Sequence, residues 1–440
     1  MTKNLSQWLE YIAGIHVSAI DMGLERVLPV AQKLDILPQA WQDDKPYVFT
    51  VAGTNGKGST TATISQICQS AGHKVALYQS PHLVDFAERV KIDNQPVSEK
   101  QLIDAFEKVE AARLELGLSL SFFEMTTLAA FLIFKEAKAD IWVLEIGLGG
   151  RLDVVNIIEP NVAVITNIGI DHVDWLGDDI EKIGAEKAGI IRPNIPVILG
   201  EYTMPNSVQQ IASEQQANVL QIGKSHDFQE LSDAWIYSSS AITMRLPKPN
   251  LSIKNAANAV SAVLVSDIKI DQAAIEQGLA QVQLAGRFDR RKLHARNWIF
   301  DVAHNEAGIA FLLEQLTPYW QDYQQQNPNA KLHILFSMLG DKDVGAVLKQ
   351  VKTAIDKQKL PVCDWHVAAI DHFRAMSLTD LLSHTYQYID KNQVIAYDSL
   401  AQATQGVITS SQEQDLIVAF GSFHTIAESL IYLTNYQFKK

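Results

Sequence analysis

The clearest chemistry in the chain lies in Gly53-Thr-Asn-Gly-Lys-Gly-Ser-Thr60. Glycines let a backbone turn its N–H groups inward around an anion. A helix starting just behind them adds a favourable dipole, Lys57 a point charge, and Ser59 or Thr60 a hydroxyl for Mg²⁺. Those are the parts of a phosphate cradle, although the strict G-x-x-x-x-G-K-[ST] spacing fails. Val51 stands where the first glycine belongs, and Gly58 separates Lys57 from Ser59. A glycine-rich surface turn carrying a lysine has the same composition; the apolar run before the segment and the helical pattern after it favour the phosphate reading.

Such a cradle needs a carboxylate at the end of a neighbouring strand to reach the metal. Glu145 qualifies, because five of the six residues from Ile141 to Ile146 are apolar and a bare charge there is costly unless a cation faces it. A pair with Arg151 is the simpler alternative. Gly147-Leu-Gly-Gly-Arg-Leu-Asp153 is a second glycine-rich loop, able to approach a ligand closely. His172 follows the strand-like Val162–Thr166, and Ser80-Pro81-His82 follows Lys74–Tyr78; open α/β sheets bind ligands at these carboxyl ends. A lone histidine there is more often structural, and Lys187, among small residues on a helical pattern, reads by itself as a solvated lysine. Several donors after several strands carry more weight than any one.

The elements that must place these groups alternate. A helical stretch runs to about Leu37, ended by Pro38. Strands are expected at Tyr47–Ala52, Lys74–Tyr78, Ile141–Ile146, Val162–Thr166 and Pro196–Leu199, with helices at about Ser59–Ser70, Met125–Lys138 and Asp179–Ile190. Strands apolar throughout, alternating with helices, predict a parallel sheet covered on both faces. Periodicity weakens from Glu201 to Leu251, where Met244–Asn250 reads as a proline-rich connector. A helix is expected at Asn255–Val265. The alternation restarts after Gly286, with strands at Trp298–Ala303, His333–Phe336 and Asp415–Phe420, so a domain boundary is placed near Ala285. Trp320–Asn329, rich in Gln and Asn, reads as a solvated loop.

Composition narrows the partners. The 440 residues exceed one compact core, and 47% hydrophobic with 20% charged residues excludes disorder. With 37 Lys+Arg against 50 Asp+Glu the net charge is −13, which opposes nucleic acid and anionic membranes. The densest cationic stretch, Arg287 to Arg296, is short and contains Asp289. Cys68 and Cys363 lack CxxC partners, which excludes a disulfide scaffold and suits a reducing compartment. The chain shows neither an apolar leader at its start nor an apolar run of about 18 residues. A cytoplasmic location is expected.

Taken in order, the motifs Gly53–Ser59, Ser80-Pro-His82, Glu145–Asp153, Thr166-Asn-Ile-Gly-Ile-Asp-His172, Glu186-Lys-Ala-Gly-Ile190, Gly286-Arg-Phe288 and Asp301-Val-Ala-His-Asn305 resemble those of the Mur ligase superfamily, in its folylpolyglutamate synthase/dihydrofolate synthase branch. The interrupted phosphate loop is the form that family uses, and the resemblance covers nearly the whole chain. It implies an α/β fold: a P-loop parallel-sheet ATPase domain at residues 1–285, including an N-terminal pterin-site segment, then a smaller Rossmann-like domain at 286–440, with ATP in the cleft between. It also implies an enzyme that joins an acid to an amine with ATP as co-substrate and two Mg²⁺ ions, with a place for a monovalent cation. The acids would be 7,8-dihydropteroate and tetrahydrofolate with its polyglutamates, and the amine L-glutamate. A monomer is implied, with no nucleic-acid or membrane partner.

Carried over by residue, the resemblance gives Gly56, Lys57, Gly58 and Ser59 to the phosphates, and Asn255, Arg287 and Asp301 to the rest of ATP. Ser59 and Glu145 would hold one metal ion. Ser80 and His172 would hold a second, with Lys187 as a carbamate (N6-carboxylysine), a modification that needs a neutral amine. Lys57, Lys187 and His172 would be catalytic. Asp21, Met22, Gly23 and Leu24, with Ser121, Phe122, Phe123 and Glu124 and then Leu152, Asp153 and Val154, would surround a flat pterin. Without the resemblance, Phe122 and Phe123 read as ordinary core. Leu251-Ser-Ile-Lys-Asn255 replaces the His-Gln pair common before that asparagine, which places adenine contacts there in question. Position alone suggests Arg151 or His304-Asn305 for glutamate.

The implied chemistry is acyl-phosphate formation, then attack by the glutamate amine, with closure of the two domains keeping water out. Three rivals are weaker. A regulatory GTPase should carry Asn-Lys-x-Asp, and the chain has no Asn-Lys dipeptide. A small-molecule kinase needs no second Rossmann-like domain, and a cell-wall precursor ligase fits neither the Gly58 insertion nor the N-terminal block. Folylpolyglutamate synthase activity alone stays open.

Overall fold

A computed structural model of the chain describes residues 3–16, 22–170, 173–372 and 374–437. The chain divides into two compact units, Met1–Val282 and Gln283–Lys440. In the first, eight strands form one sheet: β1 Tyr47–Ala52, β2 Val75–Tyr78, β3 Val90–Ile92, β4 Gln95–Pro96, β5 Ile141–Glu145, β6 Val162–Ile165, β7 Pro196–Leu199 and β8 Asn218–Gln221. Their order is β4-β3-β2-β5-β1-β6-β7-β8. All run parallel from β2 to β8 across the sheet, and β3 and β4 add an antiparallel edge.

The continuous apolar strands have a direct cause. Val48, Ala52, Trp142, Leu144, Ala163 and Ile165 face one core, while Phe49, Val51, Ile141, Val143, Val162 and Val164 face another. Successive residues point to opposite faces, and both faces are covered, so nearly every position is apolar; Thr50 on β1 and Glu145 at the end of β5 are the buried polar exceptions among these residues. The helix Phe122–Ala137 covers the first face, its Phe131 stacked on Trp142 at 5.8 Å. The helices Lys57–Ser70, Ile253–Leu264 and Gln272–Gln281 cover the second. β1 sits between β5 and β6, at the point where the chain switches from building one side of the sheet to building the other. Open parallel sheets bind ligands beyond the carboxyl ends at such a switch point.

Three expectations are corrected. The N-terminal helix is two helices, Leu5–Ile15 and Val27–Lys33, followed by a 3₁₀ turn at Pro38–Ala40. The proline-rich connector is largely a strand. β9 His226–Glu230, β10 Ala234–Ser239 and β11 Thr243–Pro247 form a small antiparallel sheet, in which Met244 and Leu246 alternate into the second core. The supposed loop at Trp320–Asn329 is mostly the end of the helix Glu306–Gln326, which passes through Pro318. Its Leu312, Leu316 and Trp320 are buried, and the Gln-rich run is simply its wet face.

The second unit has one six-stranded sheet from β12 Asp289–Leu293, β13 Arg296–Asp301, β14 Leu332–Phe336, β15 Val362–Ala368, β16 Val394–Tyr397 and β17 Leu416–Phe420. The order is β12-β13-β17-β14-β15-β16, parallel except for β12. Among the described residues, no helix is long and apolar enough to cross a membrane.

Candidate functional site

The loop after β1 is shaped by two glycines that no other residue replaces without a clash. Gly53 has φ +148° and a Cβ there would fall 1.9 Å from Thr166 Oγ1; Gly56 has φ +86° and its Cβ would fall 2.7 Å from the Asn255 carboxamide. Gly56 is the N-cap of the helix Lys57–Ser70 and offers no side chain to the first-turn N–H groups, which leaves that end suited to an anion. Asn255, expected at the nucleotide, is therefore packed directly on the loop. Thr60 is fully buried, whereas Ser59 keeps slight exposure, so Ser59 is the hydroxyl at the loop surface.

The segment after β6 fastens the loop. Thr54 N and Asn55 N donate to Asn167 O and Oδ1, and Thr166 Oγ1 donates to Asn55 O at 2.7 Å. Thr54 Oγ1 donates to Gly169 O while accepting from Gly169 N. Lys57 Nζ donates to Gly53 O at 3.0 Å and Thr54 O at 3.3 Å. Lys187, buried rather than solvated, donates from Nζ to the same Gly53 carbonyl at 3.2 Å. Two cationic side chains thus converge on one turn. His172, expected nearby, lies outside the described residues.

Glu145 ends β5 directly opposite Val51, and Ile146 N donates to Val51 O at 3.0 Å. The carboxylate is buried beside the strand that feeds the loop. Arg151 is engaged elsewhere, with its guanidinium 2.7 Å from Glu186. Ser80 follows β2 and precedes the cis bond to Pro81.

Two residues that sequence reasoning passed over complete this side. Gln79 Nε2 donates to Gly58 O at 2.9 Å and Thr61 Oγ1 at 3.0 Å, tying the end of β2 to the loop. Lys91 on β3 reaches Gln79 Oε1; burial pushes its ammonium pKa down, while Glu88 and Glu145 oppose the shift. The only signal for Gln79 was its place before Ser80-Pro-His, and a lysine in a two-strand edge gives no signal at all. Arg89 Nε donates to His82 Nδ1 at 2.8 Å; burial first, then the Arg89 charge, lowers the His82 pKa.

The expected pterin residues divide. Phe123 lies against the second glycine loop, where a Cβ on Gly147 would fall 2.5 Å from its ring, and Met22 lies beside Gly149. Phe122 packs edge-on against Phe86 at 6.1 Å. Asp153 is buried and accepts from Leu148 N and Val155 N, each at 2.8 Å. Burial pushes its carboxyl up to about 6, against the pull of those N–H groups and of Lys57. Ser121 and Glu124 form a capping box on the helix Phe122–Ala137, and Glu124 also takes Arg26 at 2.7 Å. Val154 points into the core and Leu24 packs against it; Leu152 is half-buried, and Gly23 has φ +147°. Asp21 lies outside the described residues.

Arg287 and Asp301 belong to the second unit. Asp301 ends β13, accepts from Phe288 N and Ala303 N, and has its pKa raised by burial with Arg287 opposing. Arg287 lies over the Phe423 ring at 5.5 Å. Asn305 caps the helix that starts at Glu306, and His304 Nδ1 donates to Val302 O. Arg151 is exposed and paired with Glu186, and the Asn305 side-chain oxygen accepts from Gly308 N as the helix cap.

Known proteins match this arrangement along its length. The Mur ligase middle domain family matches residues 51–266, and the Mur ligase, glutamate ligase domain family matches 286–423. A dihydrofolate synthase/folylpolyglutamate synthase of Escherichia coli is 38% identical over 96% of this chain and 94% of its own. The structure of E. coli FolC in complex with DHPP and ADP superposes with a TM-score of 0.85 at 36% identity, covering 99% of both chains. A bifunctional folylpolyglutamate synthase/dihydrofolate synthase from Yersinia pestis, complexed with AMPPNP and Mn ion, gives 0.84 at 35% identity over 98% of each.

Proposed function

This chain belongs to the Mur ligase family, and from that premise we propose that it is an ATP-dependent amide ligase adding L-glutamate to 7,8-dihydropteroate, making dihydrofolate, and to tetrahydrofolate, making folylpolyglutamate. The observation that carries the reading is the loop itself: Gly53 and Gly56 hold a helix N-terminus open beside Lys57, with Glu145 one strand away.

A carboxylate does not condense with an amine at neutral pH because its leaving group is oxide. Transfer of the γ-phosphoryl group of ATP to the acid creates an acyl phosphate and releases ADP; the glutamate amine attacks its carbonyl, and phosphate leaves. Negative charge moves across the phosphoryl oxygens during transfer. The first-turn N–H groups behind Gly56, together with Lys57 once it turns toward the phosphates, would counter it. In the ligand-free loop Lys57 rests on two carbonyls; phosphate oxygens are stronger partners, so it turns to them when ATP binds.

Mg²⁺ supplies charge neutralisation at the phosphates, and Ser59 with Glu145 offers the hard oxygens it requires. Ser80, His172 and Lys187 as N6-carboxylysine would hold a second ion; the modification turns a buried donor into an anionic oxygen ligand. Asn255 keeps the loop in shape through its contact with Gly56. Met22, Phe123 and Asp153 around the second glycine loop would receive the flat acid, with Asp153 as a partner for ring donors. Fixing acid, ATP and amine together contributes roughly 7–11 kcal/mol to lowering the barrier.

One coupled assay tests this. ADP and phosphate should appear only when ATP, L-glutamate and a folate-type acid are all present, and with either dihydropteroate or tetrahydrofolate as that acid. Turnover with tetrahydrofolate alone would reduce the activity to folylpolyglutamate synthesis. ADP release without glutamate would refute the ligase reading.

A further inference from the structure

Toward the amino-terminal end of the second unit's sheet, four titratable side chains cluster, three of them buried and Asp364 partly exposed, and take no part in the reaction above. They are His333 on β14, Asp364 and His366 on β15, and Asp415 just before β17. His333, His366 and Asp415 are at most 1% exposed. Their meeting depends on an irregularity. The pairing of β14 with β15 shifts at Leu332/His333, so that Asp364, and not Cys363, stands opposite His333. Bulges of this kind re-aim a side chain. The alternation of β15 then brings His366 onto the same face.

Asp364 Oδ1 lies 2.7 Å from His333 Nδ1 and 3.2 Å from His366 Nε2. These three donor atoms all fall within 4.8 Å of one another. The far nitrogen of each ring has its own partner: His333 Nε2 is 3.3 Å from Asp415 Oδ2, and His366 Nδ1 is 2.9 Å from Tyr397 OH. Asp415 is fixed in turn by the N–H groups of Lys331 and Gln412. Ser410 Oγ lies 3.2 Å from His366 Nε2.

We propose that His333 Nδ1, Asp364 Oδ1 and His366 Nε2 form a site for one divalent transition-metal ion of the zinc class, with the fourth position taken by water or the Ser410 hydroxyl. Two imidazoles and a carboxylate are donors such an ion prefers over Mg²⁺ or Ca²⁺. The outer partners are those metal-ligating histidines use: a carboxylate and a hydroxyl that set the tautomer and turn the ligating nitrogen inward. Charge favours it as well. Asp415 is buried and Asp364 only partly exposed, so the pair favours two positive charges beside it, and a divalent ion supplies both while leaving each ring neutral. Donors about 2.0–2.1 Å from a tetrahedral ion stand roughly 3.3 Å apart, so the Asp364–His333 contact need open only by about half an ångström. The ion would clamp β14 to β15 and, through Asp415, to the lead into β17.

The test uses the full chain, with any purification tag removed, stripped by chelator and kept in excess Mg²⁺ so that oxygen-rich sites are filled. Zn²⁺ should then bind at one equivalent and raise the unfolding midpoint, and Co²⁺ should give the visible absorption of a tetrahedral nitrogen–oxygen site. Asp364→Asn and His366→Gln should each weaken binding at least tenfold with circular dichroism unchanged, and Cys363→Ser should leave it intact. If the wild-type chain retains no zinc and shows no Co²⁺ band, the proposal fails whether or not the variants fold. It fails equally if Cys363→Ser, and not the Asp364 or His366 variant, removes the ion.

Discussion

Replacing Lys57 with alanine separates a phosphate-handling loop from a merely structural one. In the ligand-free protein its ammonium touches the Gly53 and Thr54 carbonyls, and Gly53 O retains a second donor in Lys187. Lys57 is only half-buried, so water can replace it at both carbonyls. The loss of stability should therefore stay below about 1 kcal/mol, a shift of no more than a few degrees in unfolding midpoint for a domain of this size. Turnover should behave differently. A donor that stabilises charge developing in the transition state is worth about 2.7–4 kcal/mol, so kcat should drop by roughly 10²–10³. The assay is ADP release at saturating dihydropteroate and L-glutamate, run beside thermal unfolding of the same preparation. Turnover within a fewfold of wild type would remove the loop from the mechanism. A collapse in midpoint would instead make Lys57 a structural residue, and the rate loss would then carry no mechanistic meaning.

Other perturbations reach separate parts of the site. Asp153 is buried with its carboxyl pushed up to about 6 from 3.8, so its contribution to stability is full below pH 4 and lost as pH rises through 6. At about 1.36 kcal/mol per unit this is on the order of 3 kcal/mol, and the stability of wild type minus Asp153→Asn should fall between pH 4 and 7; a flat difference would refute the shift. Gly147→Ala places a Cβ 2.5 Å from the Phe123 ring, so KM for dihydropteroate should rise at least tenfold while nucleotide affinity holds, as read by ligand titration. Glu145→Gln should abolish turnover and weaken nucleotide-dependent Mn²⁺ binding followed by electron paramagnetic resonance, since the amide is a poorer ligand for a hard cation. Asp21→Ala should impair dihydropteroate use more than tetrahydrofolate extension, and equal loss in the two assays would count against a separate pterin pocket.

The architecture was readable wherever one physical demand dominated. β1 and β7 occupy the expected residues because a strand buried on both faces is apolar at nearly every position, a pattern that stands out over runs this short. The small sheet β9–β11 was obscured by its exposure: only alternate residues are buried, and Pro247 closes β11 with the look of a linker. The helix Glu306–Gln326 was obscured by composition, because a glutamine-rich wet face outweighed the spacing of Leu312, Leu316 and Trp320.

The same division runs through the site. Residues bound to a motif by chain neighbourhood, such as Gly53, Lys57 and Ser59, declare themselves through spacing, because a turn that wraps an anion constrains consecutive backbone angles. Contacts made across the sheet do not. That Lys187 reaches the Gly53 carbonyl and that Gln79 braces the loop both depend on which strands lie next to each other. The order β2-β5-β1-β6 brings residues more than a hundred positions apart within hydrogen-bonding distance. Local sequence states which backbone each segment prefers; only packing states which segments meet, because the energy that chooses neighbours is spread over two whole cores and belongs to no single motif.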